Sequence, residues 1–447
     1  MLGMTGFPLS LRMSGKSGIL NRVNPPVGSV RSPTVGSWAR GDEHMVNEQK
    51  HPKRDEPKRD EPKKVAIGCQ GGGIHASFEV GVLCEILEAI EDQNRSKQNR
   101  FELVGLSGTS AGALCTLIVW YGLARKNGQA GSARAAIEQL EDFWERFAAT
   151  TTAERVLNLF TYSAFRAQEK EVLGFNAPLF GINPRSRISQ AVTAGLPLLG
   201  VRGRYFDLDK LLGKACPHFK GIDWDNLQTR LLVGASEIMD GVETTFDSDC
   251  NMKDQGGKHT AATVNRHHWR KRLPLTLQGV AASGTLPQFR EAEKIHGGCY
   301  WDGLYSQNPP IRELLSSVRK EHVPDEIWIV RINPQQCAQE PQSSAEIEDR
   351  ENELMGNLSL NKELDFIMTV NDWITKYGGA FATDYKPVKV RTIKMRRQTA
   401  AELLYSSKFN RSRDFMDRLC KEGHEVAKEW LGLWPDVGCY PEDAAYS

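Results

Sequence analysis

The sequence predicts an α/β fold, because short apolar segments of strand character alternate with apolar segments of helical spacing. The first, "VAIGC" at 65–69, is rich in β-branched and small apolar residues and leads through a run of glycines into a helical pattern. The second, "FELVGLSG" at 101–108, leads through another glycine-containing turn into "AGALCTLIVWYGLA". Two successive strand–turn–helix units indicate a sheet with helices packed against it.

Composition narrows the class of protein. The chain has 447 residues, enough for one large or two ordinary domains, and its net charge of +1 argues against a nucleic-acid binder. The nine cysteines are scattered without a C-x-x-C pair, which favours reduced thiols over disulfides or a zinc site, and Cys216 with His218 is only a weak metal signal. The apolar run at 113–123 is too short to span a bilayer and predicts a buried core helix.

The first 62 residues do not look like part of the fold. Residues 1–41 contain arginine and lysine but no acidic residue, which fits an organelle-targeting peptide, an unstructured leader, or sequence upstream of a later start at Met45. The repeat "KRDEPKRDEP" at 53–62 is a solvated spacer, since it has nothing apolar to bury. We therefore expect a disordered leader and linker at 1–62, a catalytic domain at 63–335 and a mainly helical extension at 336–447.

The glycine run at 71–73 stands between the first strand and its helix, so its backbone N–H groups suit an anion. One interpretation is a dinucleotide site, but the acidic residue expected about 20 positions later is missing. The other is an oxyanion hole, formed by Gly71, Gly72 and Gly73. The second interpretation is favoured because a candidate nucleophile follows one strand–helix unit later.

That candidate is Ser110 in "GLSGTSAG", which matches G-x-S-x-G between Gly108 and Gly112. The pattern alone is common in a chain with 40 glycines. Its context is more specific, because Ser110 lies at a strand-to-helix junction, as a nucleophile elbow requires. The two glycines remove side chains where strand and helix come together.

A nucleophilic serine needs a base. No histidine stands in an arrangement typical of a Ser-His-Asp triad, and the adjacent His267 and His268 lie in the basic stretch "RHHWRKR". Asp302, in "CYWDGLYSQNPP", is the other candidate, although an Asp-Gly pair by itself is more often a simple turn.

Taken in order, "GGGIHASFEVGVL" at 71–83, "GTSAG" at 108–112 and "DGLYSQNPP" at 302–310 resemble the motifs of the patatin-like phospholipase family. The segments at 231–248 and 281–289 are also similar to family segments. The resemblance covers about residues 64–310 well and 325–433 more loosely. It implies a three-layer fold with a central, mostly parallel sheet flanked by helices.

The resemblance also implies a lipid acyl hydrolase of the phospholipase A or esterase type. Ser110 would be the nucleophile and Asp302 the proton acceptor, with no cofactor and no metal. The substrate would be a lipid ester, a phospholipid or an acylglycerol, reached by transient contact with a membrane surface. The scattered cysteines predict a cytoplasmic location, and the low net charge predicts no nucleic acid partner. A catalytically silent lipid-binding or interaction module is the rival interpretation.

The sequence departs from the family pattern at three positions. His75 stands where many members have arginine, Ala76 where they have glycine, and Leu304 where a small residue is usual. His75 is either a support for the glycine loop or an ordinary residue at a helix start, and both remain open. The changes put rate and substrate fit in doubt, but remove no reacting group.

Three further segments carry weaker predictions. The segment 349–376 has Leu354, Leu358, Leu364, Phe366, Ile367 and Ile374 largely on one helical face, which predicts a helix packed on the sheet or, less favoured, lying on a membrane. "DEIWIVRI" at 325–332 predicts a buried strand. "NRHHWRKRLP" at 265–274 is either a solvated loop or a contact for anionic headgroups, and the loop is favoured.

Overall fold

The structure is a computed structural model that describes residues 61–96, 100–169, 207–252, 269–287, 290–315, 322–337, 339–342, 344–379 and 386–440. These residues lie in one compact unit, Arg59–Ser447. Residues 1–60 of the expected leader and linker, and the pair His267 and His268, lie outside the described residues. The domain limits expected from the sequence stay a prediction.

The centre of the fold is a mostly parallel sheet, which confirms the predicted fold class. Its nine described strands are β1 (Lys63–Cys69), β2 (Phe101–Thr109), β3 (Arg230–Glu237), β4 (Val242–Asp247), β5 (Arg270–Pro274), β6 (Glu293–Ile295), β7 (Gly298–Asp302), β8 (Glu326–Arg331) and β9 (Lys389–Lys394). The strand order is β5-β4-β3-β2-β1-β8-β9, and the hairpin β6–β7 joins through β3. The strands β2, β1, β8 and β9 are all parallel to their neighbours, while β4 and β7 run antiparallel to β3.

Helices cover both faces of this sheet. The described helices are α1 (Ser77–Ser96), α2 (Ala111–Leu123), α3 (Ala133–Phe147), α4 (Thr152–Glu169), α5 (Leu208–Ala215), α6 (Leu277–Ser283), α7 (Ser344–Tyr377), α8 (Arg397–Glu402) and α9 (Arg413–Leu433). One apolar core joins α1, α2, α3, α6 and α9 to the sheet, and a second joins α7 to the opposite face. The fold therefore has three layers.

Burial explains the composition of α2. The helix is apolar on every side, and residues from Ala111 to Gly122 are all buried, since α2 lies between the sheet and α3. The core helix predicted at 113–123 is confirmed.

Two segments differ from their sequence-based expectations. In α7 the buried face is formed by Leu360, Leu364, Ile367, Val370 and Ile374, whereas Leu354, Leu358 and Phe366 are exposed, so the predicted apolar face mixed two sides of the helix. Residues 270–274 form β5 and do not form the favoured solvated loop. The Arg270 and Arg272 side chains make ion pairs within the protein, with Glu313 and Asp247 respectively.

The region after residue 336 is joined to the sheet and to the first helix. β9 pairs with β8 along its whole length, so the sheet continues into this region. Helix α9 lies directly on α1, where Gly81 faces the Cys420 carbonyl and Gly423 faces the Phe78 carbonyl. A Cβ at either glycine would collide with the facing backbone, so the two glycines allow the close approach.

Candidate active site

The junction between β2 and α2 holds Ser110 in an unusual backbone conformation, with φ 55° and ψ −126°. Such a conformation costs about 1–3 kcal/mol for a residue with a side chain. A Cβ on Gly108 would meet the Gly112 carbonyl, and one on Gly112 would lie 2.5 Å from the Cys69 carbonyl oxygen. The strained turn therefore requires both glycines. The Ser110 N–H donates to the Ser283 hydroxyl at 2.9 Å, which fixes the turn from α6.

The sheet register brings Asp302 to the same place. β2 pairs with the first half of β3 up to Thr109 opposite Gly234, and β7 then pairs with the second half, with Asp302 opposite Ala235. The two strands thus meet end to end alongside β3. Ser110 directly follows the last residue of one, and Asp302 is the last residue of the other.

The Asp302 side chain is fully buried. Its Oδ1 accepts the Leu304 N–H at 2.9 Å, while Oδ2 has no well-formed hydrogen bond among the described residues. Burial raises the pKa of Asp302 from 3.8 to about 7, against smaller lowering effects of the Ser110 hydroxyl and the Leu304 N–H. The Ser110 hydroxyl therefore interacts with this carboxyl without a hydrogen bond of good geometry, and such contacts often tighten only when substrate binds.

The glycine run lies against Ser110. A Cβ on Gly71 would be 2.8 Å from the Ser110 Cβ. The Gly71 N–H donates to Asn308 Oδ1 at 2.5 Å, so it is paired within the protein in this structure, and its role as an oxyanion donor stays a prediction. The N–H groups of Gly72 and Gly73 have no hydrogen-bond partner within the described part of the chain. Gly73 has φ 58°, a conformation that favours glycine.

This arrangement of glycine loop, serine elbow and Asp-Gly turn agrees with what sequence comparison finds. A family profile for patatin-like phospholipases matches residues 69–315. The chain belongs to the patatin-like phospholipase family. Membership places it, in general terms, among lipid acyl hydrolases, which act on lipid substrates.

Comparison with individual proteins adds little. Among solved structures, VipD from Legionella pneumophila is similar to this chain, with 15% sequence identity and a TM-score of 0.34, over 83% of this chain and 67% of that one. No curated protein matches the sequence.

His75 occupies the position at which the patatin-like resemblance leads one to expect arginine. The side chain is buried, and its Nε2 lies 2.7 Å from the Ser407 hydroxyl. Burial, assisted by the nearby Lys408 charge, holds the pKa of His75 well below its usual value. The lowered pKa favours the neutral imidazole, and the side chain connects the glycine loop to the turn Tyr405–Phe409.

Several polar residues around this patatin-like site were missed by the sequence analysis. Asn308 lies next to the prolines of the "DGLYSQNPP" motif, so its position offered a signal. Gln70 accepts the Ile332 and Asn333 N–H groups, both at 3.2 Å, and Asn333 donates to the Gly71 carbonyl at 3.0 Å. No local sequence pattern pointed to Gln70 or Asn333, because their hydrogen-bond partners are some 260 residues away in the chain.

Two other histidines lie away from the Ser110 edge. His322 is buried at the opposite edge, between Asp249 and the Leu227 carbonyl. His424 faces Glu85 across the α1–α9 contact, with Nδ1 3.4 Å from Oε2. Neither is placed to act as the base of Ser110.

An open cleft of about 630 Å³ lies on the α7 side of the Asp302 turn, between α7 and the ends of β3 and β4. Trp301, Tyr305, Arg312 and Leu358 contribute to its walls, but Ser110 and Asp302 do not. No described helix is long and apolar enough to cross a membrane. Within the described ranges, no group of three or more His, Cys, Asp or Glu side chains is placed to hold a metal ion.

Proposed function

We propose that the chain is a serine lipid acyl hydrolase that cleaves carboxylic esters through a Ser110–Asp302 dyad and an acyl-enzyme. The supporting observation is the buried Asp302 carboxyl, whose Oδ2 is left without a well-formed hydrogen bond beside the strained Ser110. A buried acceptor without a partner is costly in a folded protein, so a structural role does not account for it.

The reaction follows from these positions. The Asp302 carboxylate takes the hydroxyl proton of Ser110 while Oγ attacks the ester carbonyl carbon. The N–H groups of Gly72 and Gly73 donate to the resulting oxyanion, where each such donor contributes roughly 10²–10³ in rate. The alcohol or lysolipid leaves with the proton from Asp302, and a water molecule then hydrolyses the acyl-enzyme by the same steps in reverse order.

The pKa of Asp302 suits this role. A general base works best when its pKa is near the working pH. At about 7, the carboxyl of Asp302 is substantially ionised under neutral conditions and more basic than an ordinary aspartate.

The substrate in this proposal is a phospholipid or an acylglycerol, reached by transient contact with a membrane surface. Leu354 and Leu358 of α7 are 36% and 52% exposed. They flank Gly356, which packs against Leu304 of the Asp302 turn, so apolar surface lies close to the site. The nine free cysteines support a reducing compartment such as the cytoplasm.

A fluorophosphonate probe tests the proposal directly. We expect the protein to be labelled at Ser110, the Ser110→Ala variant to stay unlabelled, and a mixture of phospholipids and acylglycerols to release fatty acid. A folded wild-type protein that is neither labelled nor active on any lipid would instead support the silent lipid-binding module.

A further inference from the structure

Residues beyond the family match surround the glycine loop. The match ends at residue 315, yet Asn333 contacts Gly71, Ser407 contacts His75, and the Lys408 backbone lies against Gly73. A Cβ on Gly73 would be 2.5 Å from the Lys408 carbonyl oxygen. The loop is therefore contacted on one side by segments that the family motifs do not include.

The contact with Asn333 sets the direction of one proposed oxyanion donor. The Gly71 carbonyl and the Gly72 N–H belong to the same planar trans peptide unit, so they point in opposite directions. Asn333 Nδ2 donates to this carbonyl at 3.0 Å. By holding the carbonyl on one side, Asn333 keeps the Gly72 N–H on the other.

Lys408 in turn orients Asn333. Its ammonium group donates to Asn333 Oδ1 at 3.4 Å and to Asn352 Oδ1. A lysine ammonium can only donate, so the Asn333 oxygen must face Lys408 and its NH₂ group must face Gly71. The side chain amide cannot flip without placing two donors against each other.

The Lys408 side chain is also buried, with only 7% of its surface exposed. Burial lowers its pKa, while Asp349 and Glu353 of α7 act in the opposite direction.

We infer that Lys408 and Asn333 are positioning residues for the hydrolytic reaction, with Lys408 orienting Asn333 and Asn333 orienting the peptide that carries the Gly72 N–H. This inference rests on the proposed function. Under this inference, residues after position 315 contribute to catalysis by positioning the glycine loop.

The test compares kcat and KM of the full chain on a soluble p-nitrophenyl ester. Because the oxyanion forms only in the transition state, Lys408→Met and Asn333→Ala should each lower kcat, by roughly 10- to 100-fold, less than loss of a direct donor. KM should change less than about threefold, since ground-state binding is untouched. The double variant should be little worse than either single one, as the two residues act in series.

Lys126→Met is the matched control. The Lys408 ammonium lies 5.9 Å from the Tyr405 ring centroid, and the Lys126 ammonium lies 4.3 Å from that of Tyr121. Lys126 also donates to backbone carbonyls, but at the end of α2 opposite Ser110. This variant should keep the wild-type kcat. Asn333→Asp is the second probe, because it keeps an acceptor for Lys408 but lacks the NH₂ group, so its kcat should fall as in Asn333→Ala.

Unchanged kcat in folded Lys408→Met and Asn333→Ala, or losses that multiply in the double variant, would overturn the inference. If Lys408→Met does not fold, as shown by near-ultraviolet circular dichroism, the two Asn333 variants decide. A wild-type protein without hydrolysis or labelling would overturn the proposed function first, and the inference with it.

Discussion

Asp247 and Asp302 are both fully buried and lie at opposite ends of the strands of the same sheet. Their pKa values are shifted in opposite directions. Asp247, at the end of β4, has both oxygens occupied: Oδ1 accepts from Arg230 and the Asp249 N–H, and Oδ2 accepts from Arg230 and Arg272. Burial alone would raise its pKa, but the two guanidinium groups hold it below the usual value. Asp302 has no cationic partner within the part of the chain that the structure describes, and its pKa rises to about 7.

The difference separates a structural carboxylate from a candidate catalytic one. Partners that fix a charge also remove its reactivity, so Asp247 can hold β3, β4 and β5 together but cannot accept a proton near neutral pH. Asp302 has few partners and so keeps a free oxygen for a reacting hydroxyl. The same sheet carries both kinds of site because each edge is packed differently.

The largest expected effect is on catalysis at the Asp302 edge. Ser110→Ala and Asp302→Asn should each lower kcat by more than roughly 10³-fold, and the double variant should be little worse, because the dyad acts as a unit. Steady-state kinetics on a p-nitrophenyl ester measures this, with His424→Ala as the control that keeps its activity. An equally large loss in His424→Ala would point to a triad.

The next effect is on stability at the Asp247 edge. Asp247→Asn leaves Arg230 as a buried charge with one carboxylate fewer, which should lower the free energy of unfolding by about 3–5 kcal/mol. Chemical denaturation at pH 7 measures the loss. Since the folded pKa of Asp247 lies below its unfolded value, its contribution is present above about pH 4 and is lost as the pH falls further. A variant as stable as wild type at pH 7 would contradict the structural role.

Asp302→Asn should have the opposite effect on stability. The folded pKa of Asp302 is about 7 against 3.8 when exposed, so wild-type stability falls as the pH rises through this range. The asparagine keeps an oxygen for the Leu304 N–H and carries no charge. At pH 8 it should be more stable than wild type by up to roughly 4 kcal/mol, and the gain should vanish towards pH 4. Denaturation at both pH values checks this; a gain that is independent of pH would exclude the carboxyl as its source.

The smallest effect is the pH dependence of the wild-type rate. If Asp302 must be ionised, kcat/KM should fall about tenfold per pH unit below a midpoint near 7 and be flat above it. Rates on a soluble ester between pH 5 and 9 give the profile. A midpoint near 4 would mean that the carboxyl is far better solvated than its burial indicates.

Local sequence patterns indicated many features of the sheet edge that carries Ser110 and Asp302. These features depend on residues that are close together in the chain. The elbow at Ser110 and the glycine loop each lie within a few residues of a strand end, and Asp302 follows an aromatic run that forms β7. No local pattern indicated that β7 continues the line of β2, since that follows from the pairing of both strands with β3. Nor did any local pattern show that the Gly71 N–H is occupied by Asn308.

Longer-range partners could not be predicted. Asn333 and Lys408 reach the glycine loop only through the order of the strands and the packing of the turn at 405–409, which no local pattern encodes. In α7 the apolar residues cover two sides of the helix, and only the sheet determines which side is buried.

The position of β1 within the sheet determines where the chain can be truncated. β1 lies between β2 and β8, and β8 is completed only at Arg331, beyond the family match. A recombinant fragment that ends at residue 315 would leave the apolar Val65–Cys69 run as an open sheet edge, which invites association with other chains. Such a fragment should aggregate on expression, whereas one that includes β9 and α9 should stay in solution, and light scattering would distinguish them. The family match at 69–315 is therefore shorter than the smallest fragment that we expect to stay in solution.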